Sequence, residues 1–272
     1  FNKFFYTILI FSTILIIGSK FISNWKYQNQ QSEVKLIFNA YLDQDSFRCG
    51  TKFRVLNPLK PICLINDFKS NKKVLLLGDS HANSLKPIFV DTMRLYKITH
   101  YFYASNDPLM KPKYNAKKIY KDILKFNITD VIFHYNTNFY KTSNYYKELD
   151  ELLLHLKSKK INVFFISPVP VYKENIPEIL YNEITSEKPI IKRETLLKHL
   201  QDNKAFFDFI GDKPTTYSKV YSSGKLLCPT SLNCLLELDG KPLYFDSNHL
   251  TITGAKTIGP IFVQISEEII KK

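Results

Sequence analysis

Ser80, Asp246 and His249 are the residues of this chain that could carry out nucleophilic chemistry together. Ser80 stands in Gly78-Asp79-Ser80-His81, and Asp246 and His249 stand three apart in Asp246-Ser247-Asn248-His249. A serine hydroxyl is a weak nucleophile at neutral pH. It needs a base within hydrogen-bond reach, and that base needs its tautomer fixed by a third group. The Asp-x-x-His spacing lets the acid orient the base, so the trio reads as nucleophile Ser80, base His249 and orienting acid Asp246. Each member also has an ordinary structural reading. Gly-Asp-Ser is a common turn, and Ser or Asp before a helix is often only an N-cap. His249 reads equally as a capping or core histidine, and Asp246 as a turn residue. Their occurrence at the two ends of one α/β stretch favours the catalytic reading.

For the trio to meet, the chain must place them at one edge of a sheet. Val74-Leu-Leu-Leu77 is a short apolar run bounded by lysines and Gly-Asp-Ser, which fits a central parallel strand. Gly78 permits a sharp turn after it. Residues 82–97 then turn helical, with Leu85, Ile88, Phe89, Met93 and Tyr96 near one face. Ser80 thus falls at a carboxyl strand end and a helix start, where open α/β sheets bind ligands and negative charge is favoured. Further strands are expected at 99–103, 130–135, 162–167 and 205–208. Helices are expected at 115–126, 145–159 and 189–202, and a last one, capped by Thr251 or Thr253, runs to residue 270. This alternation predicts an α/β fold with a central parallel sheet and helices on both faces. Oxyanion donors are expected from the Ser80 N–H and from the loops after the second and third strands. Asn136 is the first choice there, with Asn106 and Asn138 as the other side chains on offer. His81 follows the serine, and His134 is placed to line the same crevice. His100, His155 and His199 read as incidental.

The composition sets the surroundings. With 272 residues, 44% hydrophobic and 23% charged, the chain is long and apolar enough for a sizeable core. The formal charge of +13 comes mostly from lysines spread along the chain. No arginine cluster or nucleic-acid motif accompanies it, so nucleic acid is not expected as a partner; a solvated basic surface is the ordinary reading, and near an anionic membrane it would also help. Residues 4–22 are almost wholly apolar, broken only by Lys20, and the chain opens on Phe1 rather than Met. The stretch is read as the end of a transmembrane segment of a longer protein, with a signal peptide as the rival. Residues 23–70 are read as a linker and N-terminal extension, and 71–272 as the folded domain. The four cysteines form two local pairs, Cys49 with Cys63 and Cys228 with Cys234, which points to two disulfides and an oxidising compartment. The other pairings stay open. A zinc site is the competitor, but neither pair has the two-residue spacing of a zinc knuckle.

Gly78-Asp79-Ser80-His81 and Asp246-Ser-Asn-His249-Leu250, followed by Gly254-Ala255, resemble the first and last blocks of SGNH hydrolases. The nearer resemblance is to the SGNH domain fused behind the membrane domain of acyltransferase family 3 proteins. Those proteins share a membrane segment, a cysteine pair before Gly-Asp-Ser-His and a close cysteine pair before Asp-x-x-His-Leu. The middle blocks of the family, a Gly and a Gly-x-Asn, are replaced here by Ala104-Ser105-Asn106 and His134-Tyr135-Asn136. The resemblance implies a three-layer, flavodoxin-like α/β sandwich preceded by a transmembrane helix, set in the bacterial inner membrane with its SGNH domain on the periplasmic side. It implies an O-acyltransferase whose upstream membrane domain delivers an acetyl group from cytoplasmic acetyl-CoA, with no cofactor bound by this domain. Ser80 would carry the acetyl group to a hydroxyl of a surface polysaccharide such as lipopolysaccharide. A glycan O-acetyl esterase would use the same three residues. Gly-Asp-x-His also opens two-metal phosphoesterases, but their Gly-Asp-x-x-Asp-Arg-Gly is missing, and no metal site is expected. A non-catalytic glycan-binding domain is the remaining alternative.

Overall fold

The computed structural model describes residues 2–28, 31–57, 62–105, 109, 115–137, 143–186, 194–211 and 218–272. The chain begins with helices α1 (Asn2–Gln28), α2 (Ser32–Asn39) and α3 (Gly50–Leu56). The alternating part follows: β1 (Cys63–Asn66), β2 (Lys73–Gly78), α4 (Ser80–Leu95), β3 (Thr99–Ala104), α5 (Ala116–Lys125), β4 (Asp130–His134), α6 (Ser143–Ser158) and β5 (Asn162–Ile166). Then come α7 (Ile176–Thr185), α8 (Leu196–Asp202), α9 (Lys204–Gly211), β6 (Ser218–Tyr221) and α10 (Ser223–Leu227). The short strands β7 (Glu237–Leu238) and β8 (Lys241–Pro242) precede α11 (Ile252–Thr257) and α12 (Gly259–Lys271).

Six strands make one sheet in the order β1-β3-β2-β4-β5-β6. All neighbours are parallel except β1, which runs antiparallel along the edge strand position beside β3. The four apolar residues of β2 explain the three layers. Each is fully buried, and alternate side chains point to opposite faces of a strand. Val74 and Leu76 join Leu85, Phe89 and Met93 of α4 and Phe262 and Ile265 of α12. Leu75 and Leu77 join Ile119 and Ile123 of α5 and Leu149, Leu152 and Leu156 of α6. A strand buried on both faces must be apolar throughout, which is why β2 was legible as a run.

The edges were less legible. The strand expected at 205–208 is instead part of helix α9. Its Phe206 and Ile210 lie one helical turn apart and both enter the core, so a short apolar run had the helical period rather than the strand period. The strand at the far edge is β6, whose Val220 is half exposed, and an edge strand of that kind carries little apolar signal. β1 lies within the stretch taken as a linker and extension. The last helix divides at Ile258, where Pro260 in the first turn of α12 has no N–H to give. Of the two residues expected to cap it, Thr251 does so, through the N–H of Gly254 at 2.9 Å. The run Phe5–Trp25 within α1 is long and apolar enough to cross a membrane and is exposed along its length.

β2 lies between β3 and β4, so the chain leaves it to one side, returns and continues on the other. That is a topological switch point, and Ser80 stands just beyond its carboxyl end. Gly78 is needed there for a reason other than a turn. A Cβ at this position would sit 1.9 Å from the His134 carbonyl oxygen of β4 and 2.5 Å from Ala82 Cβ. We expect Gly78→Ala to lower stability by at least about 2 kcal/mol, within the range of overpacking strain. The denaturant midpoint at constant m measures it. An unchanged midpoint would mean that β2 and β4 are not held this closely.

Candidate active site

Ser80 is the first residue of α4, and the preceding Asp79 builds the junction. Asp79 is buried, and its two carboxylate oxygens accept from two different elements. Oδ1 takes the His81 N–H at 2.8 Å, capping α4, and Oδ2 takes the Asn136 N–H at 2.9 Å, from the loop after β4. Burial pushes the Asp79 carboxyl pKa up, while these two N–H bonds pull it down. The loop after β3 is tied to the same place, with the Ser105 N–H donating to the Gly78 carbonyl at 3.0 Å.

The other two members arrive on the loop before α11. His249 Nε2 lies 2.7 Å from Ser80 Oγ, and His249 Nδ1 lies 2.6 Å from Asp246 Oδ2. Asp246 Oδ1 also accepts the backbone N–H groups of Asn248 at 2.8 Å and His249 at 2.7 Å. Burial opposes ionisation of Asp246, but the bonds from the His249 ring and these two N–H groups outweigh it and hold its pKa below the usual carboxylate range. An ionised Asp246 can only accept, so the His249 proton sits on Nδ1. Nε2 is then the acceptor and Ser80 Oγ–H the donor. The loop is fastened from outside, because Tyr172 N–H and Ile176 N–H donate to the carbonyls of Ser247 and Asp246. The Phe245 ring lies parallel to the His249 ring, 5.4 Å between centroids.

A cavity of about 250 Å³ opens beside Ser80 and His249. Asn83 and Ser84 of α4 line it, with Phe245, Leu250 and Ile252 from the region of the Asp246–His249 loop and Gln44, Asp45 and Phe47 from the N-terminal segment. Larger hollows of about 350 and 400 Å³ lie on either side of residues 42–49 but include neither Ser80 nor His249. The segment around residue 45 was read as part of a linker, so this wall was missed. One signal pointed to it: Lys86 falls on the apolar stripe of α4, between Leu85 and Phe89, where a lysine needs a partner.

The remaining residues divide clearly. Asn136 is buried and joined by its backbone N–H to Asp79, the residue before Ser80. Asn106 and Asn138 lie outside the described residues. His81 is buried beside the base, 4.9 Å between ring centroids, and its Nε2 lies 3.2 Å from Asn248 Oδ1. His134 lies beneath the site rather than in the cavity wall, its Nδ1 3.1 Å from the Ile166 carbonyl. His100, His155 and His199 make contacts away from the triad. The disulfides are Cys49–Cys63 and Cys228–Cys234. Among the described residues, no group of three or more His, Cys, Asp or Glu could hold a metal ion.

A serine at a strand-to-helix junction, bonded to a histidine that an aspartate orients, stands here on a mostly parallel three-layer α/β fold of the SGNH kind. Residues 48–264 match the family described as SGNH domain (fused to AT3 domains), and the chain belongs to that family. Among solved structures, the periplasmic domain of the lipopolysaccharide acetyltransferase of Salmonella ser. Paratyphi A is similar in fold. It superposes with a TM-score of 0.54 over 90% of this chain and 99% of that one, at 17% identity. No curated protein matches the chain significantly.

Burial pushes the pKa of His81 from 6.5 down to about 3, with the adjacent His249 adding to the shift. Burial likewise takes His134 down to about 4, and His199 to about 4. Below pH 6.5 the unfolded chain therefore binds more protons than the folded one, so stability is full above that pH and is lost as pH falls. Denaturation at pH 5 should show a loss of about 1–2 kcal/mol per ring relative to pH 7, and His81→Gln should flatten the slope. A profile that is level between pH 7 and 5 would contradict neutral burial of these rings.

Proposed function

We propose that this chain is the extracytoplasmic part of a membrane O-acyltransferase that moves an acetyl group onto a hydroxyl of a cell-surface polysaccharide through an acyl group carried on Ser80. The observation that carries the reading is the continuous hydrogen-bonded line from Ser80 Oγ through the His249 ring to Asp246. Membership of a family fused to AT3 domains supports an acyltransferase membrane domain as the partner in the same protein. The apolar helix α1 supports anchoring in a bilayer, for which the bacterial inner membrane, with this domain on its periplasmic side, is the proposed setting.

His249 Nε2 takes the proton of Ser80 as Oγ attacks the acetyl carbonyl of the donor, and the imidazolium is stabilised by Asp246. Oxyanion charge develops at the start of α4, where the Ser80 N–H has no intrahelical partner by position and the helix dipole is favourable. Asn136 and Asn106 are the proposed side-chain donors. Collapse expels the donor's leaving group, which takes the proton from His249. In the second half a sugar hydroxyl gives its proton to His249 and attacks the acetyl carbon, and Ser80 leaves and recovers that proton. Acetyl-CoA on the cytoplasmic side is the proposed ultimate source, reaching Ser80 through the membrane domain. Water in place of the sugar would make the same site an esterase.

Turnover of p-nitrophenyl acetate by the 272-residue chain in detergent micelles tests this assignment. Ser80→Ala should reduce kcat/KM to background, and Asp246→Asn should reduce it by roughly 10³- to 10⁴-fold through loss of the correct tautomer. Ser80→Ala turnover equal to wild type would place the chemistry elsewhere.

A further inference from the structure

Three residues of the cavity wall, Gln44, Asp45 and Phe47, precede residue 48, where the match to the family begins. The wall is nevertheless fastened to the catalytic frame at both ends. Lys86 of α4 is buried, donates to the carbonyls of Ser46 and Arg48 at 2.5 Å each, and pairs with Asp45 at 3.1 Å. Asn83 Oδ1 accepts the Arg48 N–H at 2.6 Å, and the Cys49–Cys63 disulfide ties the next residue to β1. At the other end Asp43 accepts the N–H groups of Ile252 and Thr253, which open α11. Burial pulls the pKa of Lys86 down against the attraction of Asp45, so a buried cation is committed to holding this segment. The Arg48 and Arg54 guanidiniums lie 4.9 and 5.7 Å from the Phe47 ring centroid and hold the ring in place.

We infer that residues 44–47 form the acceptor-binding wall of the site and receive one pyranose unit of the glycan; this rests on the reading of Ser80 as the acyl carrier. The cavity of about 250 Å³ is smaller than the roughly 300–1,000 Å³ of pockets for drug-sized ligands, and it suits a single sugar ring rather than an oligosaccharide. Its lining matches that ligand. Phe47 and Phe245 offer aromatic surface to the C–H face of the ring, and Gln44, Asp45 and Ser84 offer partners for its hydroxyls. One hydroxyl then faces His249 Nε2. It gives that nitrogen its proton as its oxygen bonds to the acetyl carbon, the Ser80 Oγ–carbon bond breaks, and Ser80 takes the proton back. Lys86 and Asn83 act as positioning residues for the wall.

The test uses the 272-residue chain in detergent micelles with p-nitrophenyl acetate as donor. The acceptors are the methyl α-pyranosides of glucose, galactose, mannose and N-acetylglucosamine, with the acetylated glycoside quantified by mass spectrometry. At least one glycoside should be acetylated with saturation. Phe47→Ala should raise its KM by about tenfold or more, the loss of one aromatic contact, while kcat at saturating acceptor moves by less than about threefold. Phe47→Tyr should restore the KM. Phe47→Leu gives the same expected rise if the alanine variant does not fold. The inference is overturned if no glycoside is acetylated while Ser80-dependent ester turnover persists. It is also overturned if Phe47→Ala leaves the acceptor KM unchanged, or raises only the KM for the ester. A wild-type chain without Ser80-dependent turnover would overturn the acyl-carrier reading itself.

Discussion

The Asp79 carboxylate is the constraint on which the site depends. Two oxygens on one buried side chain accept from the first turn of α4 and from the loop after β4, so the end of one strand, the start of one helix and the loop of the neighbouring strand share a single fixed point. Gly78 makes this possible from below, because only a residue without a Cβ lets β2 lie against the His134 carbonyl. Ser80 is the next residue after that point. Its place is set by backbone geometry rather than by its own contacts, which leaves the hydroxyl free to serve His249. As the proposed nucleophile it would lose little entropy on reaction, since its frame is already ordered.

The second half of the site is held by different means. His249 and Asp246 sit on a loop, and loops need outside fastening to be rigid. Here the fastening comes from the connection after β5, through Tyr172 and Ile176, and from the cap of α11 by Thr251. The N-terminal segment adds a third tie, because Asp43 bonds to the first N–H groups of the same helix. The chain that leads from α2 towards the sheet thus bonds to both α4 and α11, the elements beside Ser80 and His249, before it enters β1. The segment that follows the apolar helix α1 and the site are joined by short hydrogen bonds rather than by a loose linker.

How far the sequence could be read depended on what each element buries. β2, β3, β4 and β5 are apolar because helices cover both faces, and their runs were plain. The edge strands β1 and β6 have one flank open and little apolar excess, so β1 passed as extension and β6 was not expected at all, while the Phe-rich α9 passed as a strand. That Ser80, Asp246 and His249 would meet was legible because the proposed chemistry needs those residue types in those neighbourhoods, and they are hydrogen-bonded in one line. The wall at Gln44, Asp45 and Phe47 was not, because its residues carry no motif and their place is decided by Lys86 and Asn83, which lie some forty residues further on. Lys86 on an apolar helix face was the signal that a buried partner existed, without naming it. For His81, the partner Asn248 lies at the other end of the chain, and no local pattern could supply it.

The central claim is that Ser80 carries an acyl group. The most direct measurement is intact mass of the chain after rapid quenching from p-nitrophenyl acetate, followed by peptide mapping. The account predicts one acetyl group per chain on the peptide that contains Ser80, absent from Ser80→Ala and lost on adding an acceptor alcohol. An acetyl group found only on surface lysines, equal in wild type and Ser80→Ala, would contradict it.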